Sequence, residues 1–189
     1  SGGYDRIEKD ATTADTEGQW NHWAFTKNVT TGEMRIFLNG VLWHSGTGKT
    51  NPIDITDFAI ASSITSNNKF FGKISEFRIF DKALDEATIS EWMRKSVDNT
   101  HPDYANLVAY YPMDEGTGSQ VQDHSSFAQT ATISGSPNWQ ETRATDFFKD
   151  FVTSNIRPNV TLVQGEYEQS TEVVVVLDSV LNAQNEVIS

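Results

Sequence analysis

Two groups of aromatic and imidazole side chains could do chemistry near the start of the chain: Trp20, His22 and Trp23 in "GQWNHWAFTKN", then Trp43 and His44 in "VLWHSG". An indole offers a wide apolar face with one N–H at its rim, so it stacks on ligands that are apolar on one side and hydroxylated on the other, such as a sugar ring. An imidazole beside it adds a hydrogen-bonding group. Trp20, Trp43 and His44 are therefore the candidate carbohydrate-contacting residues. A packing reading stands beside this one: Trp23 as core, Trp20 as the flank of a strand, His22 as a satisfied half-buried side chain, and Trp43 as an edge-strand residue resting on a helix or a neighbouring domain.

Oxygen-bearing residues gather in "NPIDITD", where Asn51, Asp54 and Asp57 suit calcium, a hard cation that takes carboxylate and carbonyl oxygens from a flexible loop. They do not follow the helix–loop–helix calcium pattern, and an acidic surface loop is the other reading. Glu76 in "KISEFRIF" is the strand glutamate best placed for burial, with Arg78 or another cationic residue as the expected partner in a pair that holds strand and helix together. "GTGKT" at 46–50 lacks both the spacing and the following helix of a phosphate-binding loop, and no serine sits in a nucleophile elbow. No catalytic constellation is visible in the chain.

The elements that must carry these residues are short strands. "WNHWAFTKN" alternates, with Trp23 and Phe25 on one face and His22, Ala24 and Thr26 on the other. A turn at Gly32 leads to "EMRIFLNG", with Met34, Ile36 and Leu38 on one face and Arg35 and Phe37 on the other. That strand ends at Asn39-Gly40, the strongest local hairpin signal because both residues tolerate positive φ. In "VLWHSG" strict alternation sets Val41 and Trp43 on the opposite pleat from Leu42 and His44. "FAIASS", "FFGKISEFRIF", "NLVAYYPM" and "TATISG" read as further strands, with Phe77 and Ile79 as core. The one helix signal is "DKALDEATISEWMRK": Asp85 as N-cap, Ile89, Trp92 and Met93 on one stripe, and Arg94 with Lys95 in the last turn.

With 189 residues the chain is long enough for one domain and a short appendage. Its 14 Lys+Arg against 26 Asp+Glu give a formal net charge of -12, which repels phosphate backbones and anionic membrane surfaces; no basic cluster offsets it, and nucleic acid is not expected as a partner. Cysteine is absent, which removes disulfides, zinc–thiolate sites and thiol nucleophiles. The longest apolar run, "VVVVL" at 173–177, is too short to span a bilayer, so no membrane insertion is expected.

Residues 20–93 resemble the second half of a laminin-G-like or pentraxin-like module of the concanavalin-type jelly-roll fold. The resemblance rests on "GQWNHWAFTKN", "TGEMRIFLNG" and "FFGKISEFRIFDKALDEATI" in order. Residues 107–139 resemble an element that accompanies such modules in multidomain bacterial surface and secreted proteins. The resemblance implies an all-β antiparallel β-sandwich with one short helix over residues 1–145, the family's first strands being absent from this chain. Residues 146–189 read as a linker and the start of a second β-rich domain. It further implies a structural place for Trp23, calcium near one sheet edge, and a turn role for "DEGTGSQVQD". In that turn Asp123 accepts backbone N–H groups and Gly116 takes an angle that other residues resist. Glucanases of this fold carry a Glu-x-Asp-x-x-Glu strand, which this sequence lacks. The expected function is a non-catalytic carbohydrate-binding or adhesion module, secreted or at the cell surface, with a glycan or an adjacent domain as partner. The alternative is a spacer or docking module attached to a secreted glycan-processing enzyme.

Overall fold

The computed structural model describes residues 4–53, 58–62 and 69–140; the expected second domain at 146–189 lies outside them. Among the described residues every strand pairing is antiparallel, in three small sheets. The first sheet is β1 (Trp23–Asn28), β2 (Glu33–Leu38) and β3 (Val41–Gly46), in that order. The second pairs β4 (Phe77–Phe80) with β5 (Leu107–Tyr111), and the third pairs β6 (Gln120–Val121) with β7 (Ala131–Thr132). A single turn of helix, α1 (Thr13–Thr16), precedes the first sheet, and α2 (Glu86–Trp92) follows β4. The all-β class with one short helix is thus what the alternating sequence produces.

The β2–β3 hairpin closes on Asn39 and Gly40 at φ 51° and 80°, so both turn residues are left-handed, as a two-residue turn matched to strand twist requires. Gly40 has a second reason to lack a side chain. A Cβ there would meet Ser90 Cα at 3.0 Å and Met93 Sδ at 3.1 Å, because α2 passes directly over the turn. Asp85 caps α2 as expected, accepting from Thr88 N–H at 2.7 Å, and Ile89 and Trp92 are buried while Met93 is half-buried.

Arg94 and Lys95 fall beyond the last turn instead of within it, since α2 ends at Trp92 with Met93 as C-cap. The cation that serves the end of α2 is Arg78 of β4, whose guanidinium donates to the carbonyls of Trp92, at 2.9 Å, and Lys95. Arg78 does this from 14 and 17 residues earlier in the chain, a long-range cap that spacing along the helix does not reveal.

Two apolar clusters flank β4 and β5. Val97, Leu107 and Tyr110 form one, with Phe80 against them. Ala109, Tyr111 and Val121 form the other, joined by Phe77 and Ile79 as expected and by Trp139. Strand β4 is shorter than its alternation suggests. Glu76 takes φ 57°, which breaks the extended run, and its N–H goes to Pro112 O instead of a ladder partner. Phe70 and Phe71 upstream of that break are exposed, and among the described residues the strand expected at "FAIASS" is represented by one bridge, Ser62 to Lys69.

Candidate functional site

The first sheet's register decides which aromatic side chains meet. Trp23 lies opposite Leu38 and Phe25 opposite Ile36, so the two rings share a face and run parallel, 6.4 Å apart with 10° between planes. On the other side of β2, Ile36 lies opposite His44 and Phe37 opposite Leu42, which leaves Trp43 as the extra residue of a β-bulge. A bulge sets two successive side chains against one partner. Trp43 and His44 therefore come to the same face, against the expectation from strict alternation. Their rings are 6.5 Å apart, and Trp43 meets Trp23 edge-on at 5.3 Å and 84°.

The segment before α1 fastens this face. Lys9 Nζ lies 4.2 Å from the Trp43 ring centroid and donates to the Trp43 carbonyl at 3.0 Å, a cation–π contact combined with a hydrogen bond. Asp5 pairs with Lys27 at 2.7 Å, the side chains being only 10% and 8% exposed, and it also accepts from Asn51 N and Nδ2 at 2.8 and 2.9 Å. Trp43 is consequently half-buried and pinned, and His44 is half-buried beside it. The freest ring on the face is Phe25, 71% exposed. Sequence spacing put Phe25 on the Trp23 face but gave no sign that it would stand open. Trp20 lies ahead of β1 and is half-buried, and Trp23 is half-buried within the face.

Of the calcium candidates, Asp54 and Asp57 lie outside the described residues, and Asn51 directs its amide N–H groups at Asp5. Among the described residues no group of three or more His, Cys, Asp or Glu is arranged to hold a metal ion.

His22 faces away from this ledge. Its backbone is locked to the hairpin turn: its N–H donates to Asn39 Oδ1 at 2.9 Å and its carbonyl accepts from Asn39 N at 2.8 Å. The imidazole is half-buried, and its Nδ1 finds no partner among the described residues. Burial, and after it the charge of Arg78, pushes the His22 pKa down from 6.5 to about 4. Because the fold favours neutral His22, the associated stability is complete above pH 6.5 and declines as pH falls from 6.5 to about 4. The loss over that window is of order 3 kcal/mol. Urea midpoints measured at the two ends of the window should differ accordingly in the native chain, and His22→Gln should flatten the difference; an unchanged slope in that variant rejects the assignment.

The expected pair of Glu76 and Arg78 forms at 2.7 Å. Glu76 also accepts from the Tyr110 hydroxyl at 2.8 Å, and burial, foremost, together with the Glu76 charge raises the Tyr110 pKa to about 12. Every group here is engaged in joining β4, β5 and α2, which makes the cluster a fastening. In the following turn region Asp123 accepts from the N–H groups of Tyr110, Ser125 and Gln129, and Gly116 sits at φ 68°, both as the resemblance implied.

The family model described as the concanavalin A-like lectin/glucanases superfamily matches residues 1–90. No curated protein matches the chain. A crystal structure of a Bacteroides ovatus ATCC 8483 protein, provisionally named a carbohydrate binding protein, is similar at 23% identity and a TM-score of 0.49. The similarity covers 69% of this chain and 40% of that one. The chain thus spans less than half the length of that neighbour. No helix among the described residues is long and apolar enough to cross a membrane. The tryptophan strand, the Asn-Gly hairpin and their antiparallel order all lie within residues 1–90, the segment that is similar to the concanavalin A-like lectin/glucanases superfamily.

Proposed function

We propose that the chain is a non-catalytic carbohydrate-binding module of an extracellular or cell-surface protein, and that the glycan lies on the Phe25, Trp43 and His44 face of the first sheet. A fold of this kind hosts many functions, so the reading has to come from the site. The observation that carries it is the bulge at Trp43, which brings an indole and an imidazole together on the same face as a ring that is 71% exposed, with Trp23 between that ring and the indole. Such a face offers a sugar ring an apolar platform with a hydrogen-bonding rim. Calcium belongs to the same proposal, with Asn51, Asp54 and Asp57 as its loop ligands.

The test is a glycan array on the full chain with and without calcium, followed by titration of the best ligand. Phe25→Ala should weaken binding about tenfold or more, as loss of an aromatic anchor does. Trp43→Ala should weaken it at least as much, but it also removes packing on Trp23. The exposed Phe25 is therefore the cleaner probe. Binding that ignores both substitutions sinks the assignment of the face, and calcium is rejected if chelation leaves the affinity unchanged.

A second reading has its own observation. Val41 lies opposite Leu38 on this same face and is 65% exposed, so together with Phe25 it leaves apolar surface open. That surface would equally suit docking of an adjacent domain of the same protein. Association with that neighbour, abolished by Phe25→Ala in a chain that binds no glycan, would favour docking.

A further inference from the structure

The opposite face of the first sheet holds a separate groove. Thr26 lies opposite Arg35 and Asn28 opposite Glu33, on the pleat away from Phe25, and the segment leading into α2 crosses beside them. The groove encloses about 150 Å³ and is lined by Thr26, Asn28, Glu33, Arg35, Leu84 and Asp85. That is room for about five water molecules, the scale of one sugar ring.

Its polar groups are only partly used. Asn28 Oδ1 accepts from the N–H groups of Thr30 and Thr31 at 3.0 and 3.2 Å, which leaves its Nδ2 as a donor. Arg35 Nη2 is held by Glu33 Oε1 at 2.8 Å, so the remaining guanidinium N–H groups and the second carboxylate oxygen of Glu33 stand ready. Asp85 is occupied in part by Thr88 N–H at 2.7 Å. Donors and acceptors therefore share the lining with the apolar side chains of Ala83 and Leu84.

We infer that this groove is a second carbohydrate subsite, one that reads the hydroxyls of a single neutral pyranose. A hydroxyl both donates and accepts, so vicinal hydroxyls need a fixed donor beside a fixed acceptor, and the Arg35–Glu33 pair next to Asn28 and Thr26 supplies that. An anionic ligand is disfavoured by Glu33, Asp85 and a chain charge of -12, and a cationic one by the guanidinium in the wall. The inference rests on the carbohydrate reading of the domain but not on the Phe25 face, which lies on the other side of the sheet.

The experiment is backbone amide chemical-shift mapping of the full chain titrated with methyl glycosides of neutral hexoses at millimolar concentration. Shifts at Asn28, Glu33, Arg35 and Asp85 are expected, with about tenfold weaker binding, read at those amides, in Arg35→Gln. Arg35 and Glu33 side chains are 37% and 35% exposed, so the variant should fold, and an unchanged thermal transition checks that it does. Shifts confined to Trp23, Phe25 and His44 overturn the groove while leaving the carbohydrate function standing. No shift with any glycoside overturns both.

Discussion

Replacing Asp123 with alanine should lower the stability of the 107–140 region by about 4 kcal/mol, the largest effect of any single substitution outside the apolar clusters. Asp123 is 8% exposed and its carboxylate accepts four hydrogen bonds. These come from Tyr110 N at 2.9 Å, Ser125 N at 2.8 Å, Gln129 N at 2.9 Å and Ser125 Oγ at 2.9 Å. Removing it orphans the buried N–H groups of Tyr110 and Ser125, and each such orphan costs about 1–3 kcal/mol. Asn keeps one acceptor oxygen but not the charge, so Asp123→Asn should fall midway. Hydrogen exchange at the Tyr110 amide is the direct readout, because its protection depends on this acceptor. Protection that survives in the alanine variant would show that the carboxylate is incidental.

The same residue gives a pH signature of opposite chemistry to His22. Burial alone would raise the Asp123 pKa, but the N–H groups of Tyr110, Ser125 and Gln129 outweigh it and hold it below 3.8. A depressed acid stabilises the fold above its unfolded pKa and ceases to do so as pH falls through its folded one. Acid unfolding should therefore proceed in two stages. His22 acts first, between 6.5 and about 4, and Asp123 acts below 3.8.

What was legible in the sequence was local. Asn39-Gly40 specifies its own turn because positive φ at both positions is a property of those two residues, and Asp85 specifies the start of α2 because a cap needs only the next turn of chain. The pair of Glu76 and Arg78 was legible too, being two residues apart. The rest depends on partners far along the chain. The bulge at Trp43 arises between β2 and β3, and period-two alternation hid it by placing Trp43 and His44 on opposite faces. The exposure of Phe25 depends on what lies over the sheet, and a phenylalanine alternating with tryptophan looks identical whether covered or open. The groove beside Arg35 needs the segment before α2 to cross β1 and β2, an arrangement invisible in either strand alone.

Arg78→Met should cost about 3 kcal/mol and loosen α2 before anything else. The Arg78 side chain is 11% exposed and serves Trp92 O, Lys95 O and Glu76 at once, while its guanidinium carbon lies 5.7 Å from the Tyr110 ring centroid. A helix of seven residues has too few internal bonds to persist alone, so its last carbonyls need this donor. Methionine fills the volume but leaves the Glu76 carboxylate beside Tyr110 without a cation. Because Glu76 is 31% exposed, water recovers part of its charge, which keeps the expected cost at the lower end for a broken buried pair. Glu76→Gln alone should cost less, and the double variant should show coupling of about 1–2 kcal/mol. Glu76→Gly separates backbone from side chain: glycine relieves the strain of φ 57°, about 1 kcal/mol, yet removes the contacts to Arg78 and Tyr110. The contacts outweigh the strain, so this variant should also be less stable than the native chain. Amide exchange in α2, compared with exchange in β1–β3, reads the order of loosening. If α2 and the first sheet lose protection together in Arg78→Met, the guanidinium supports the whole unit, and its assignment as the cap of α2 is wrong.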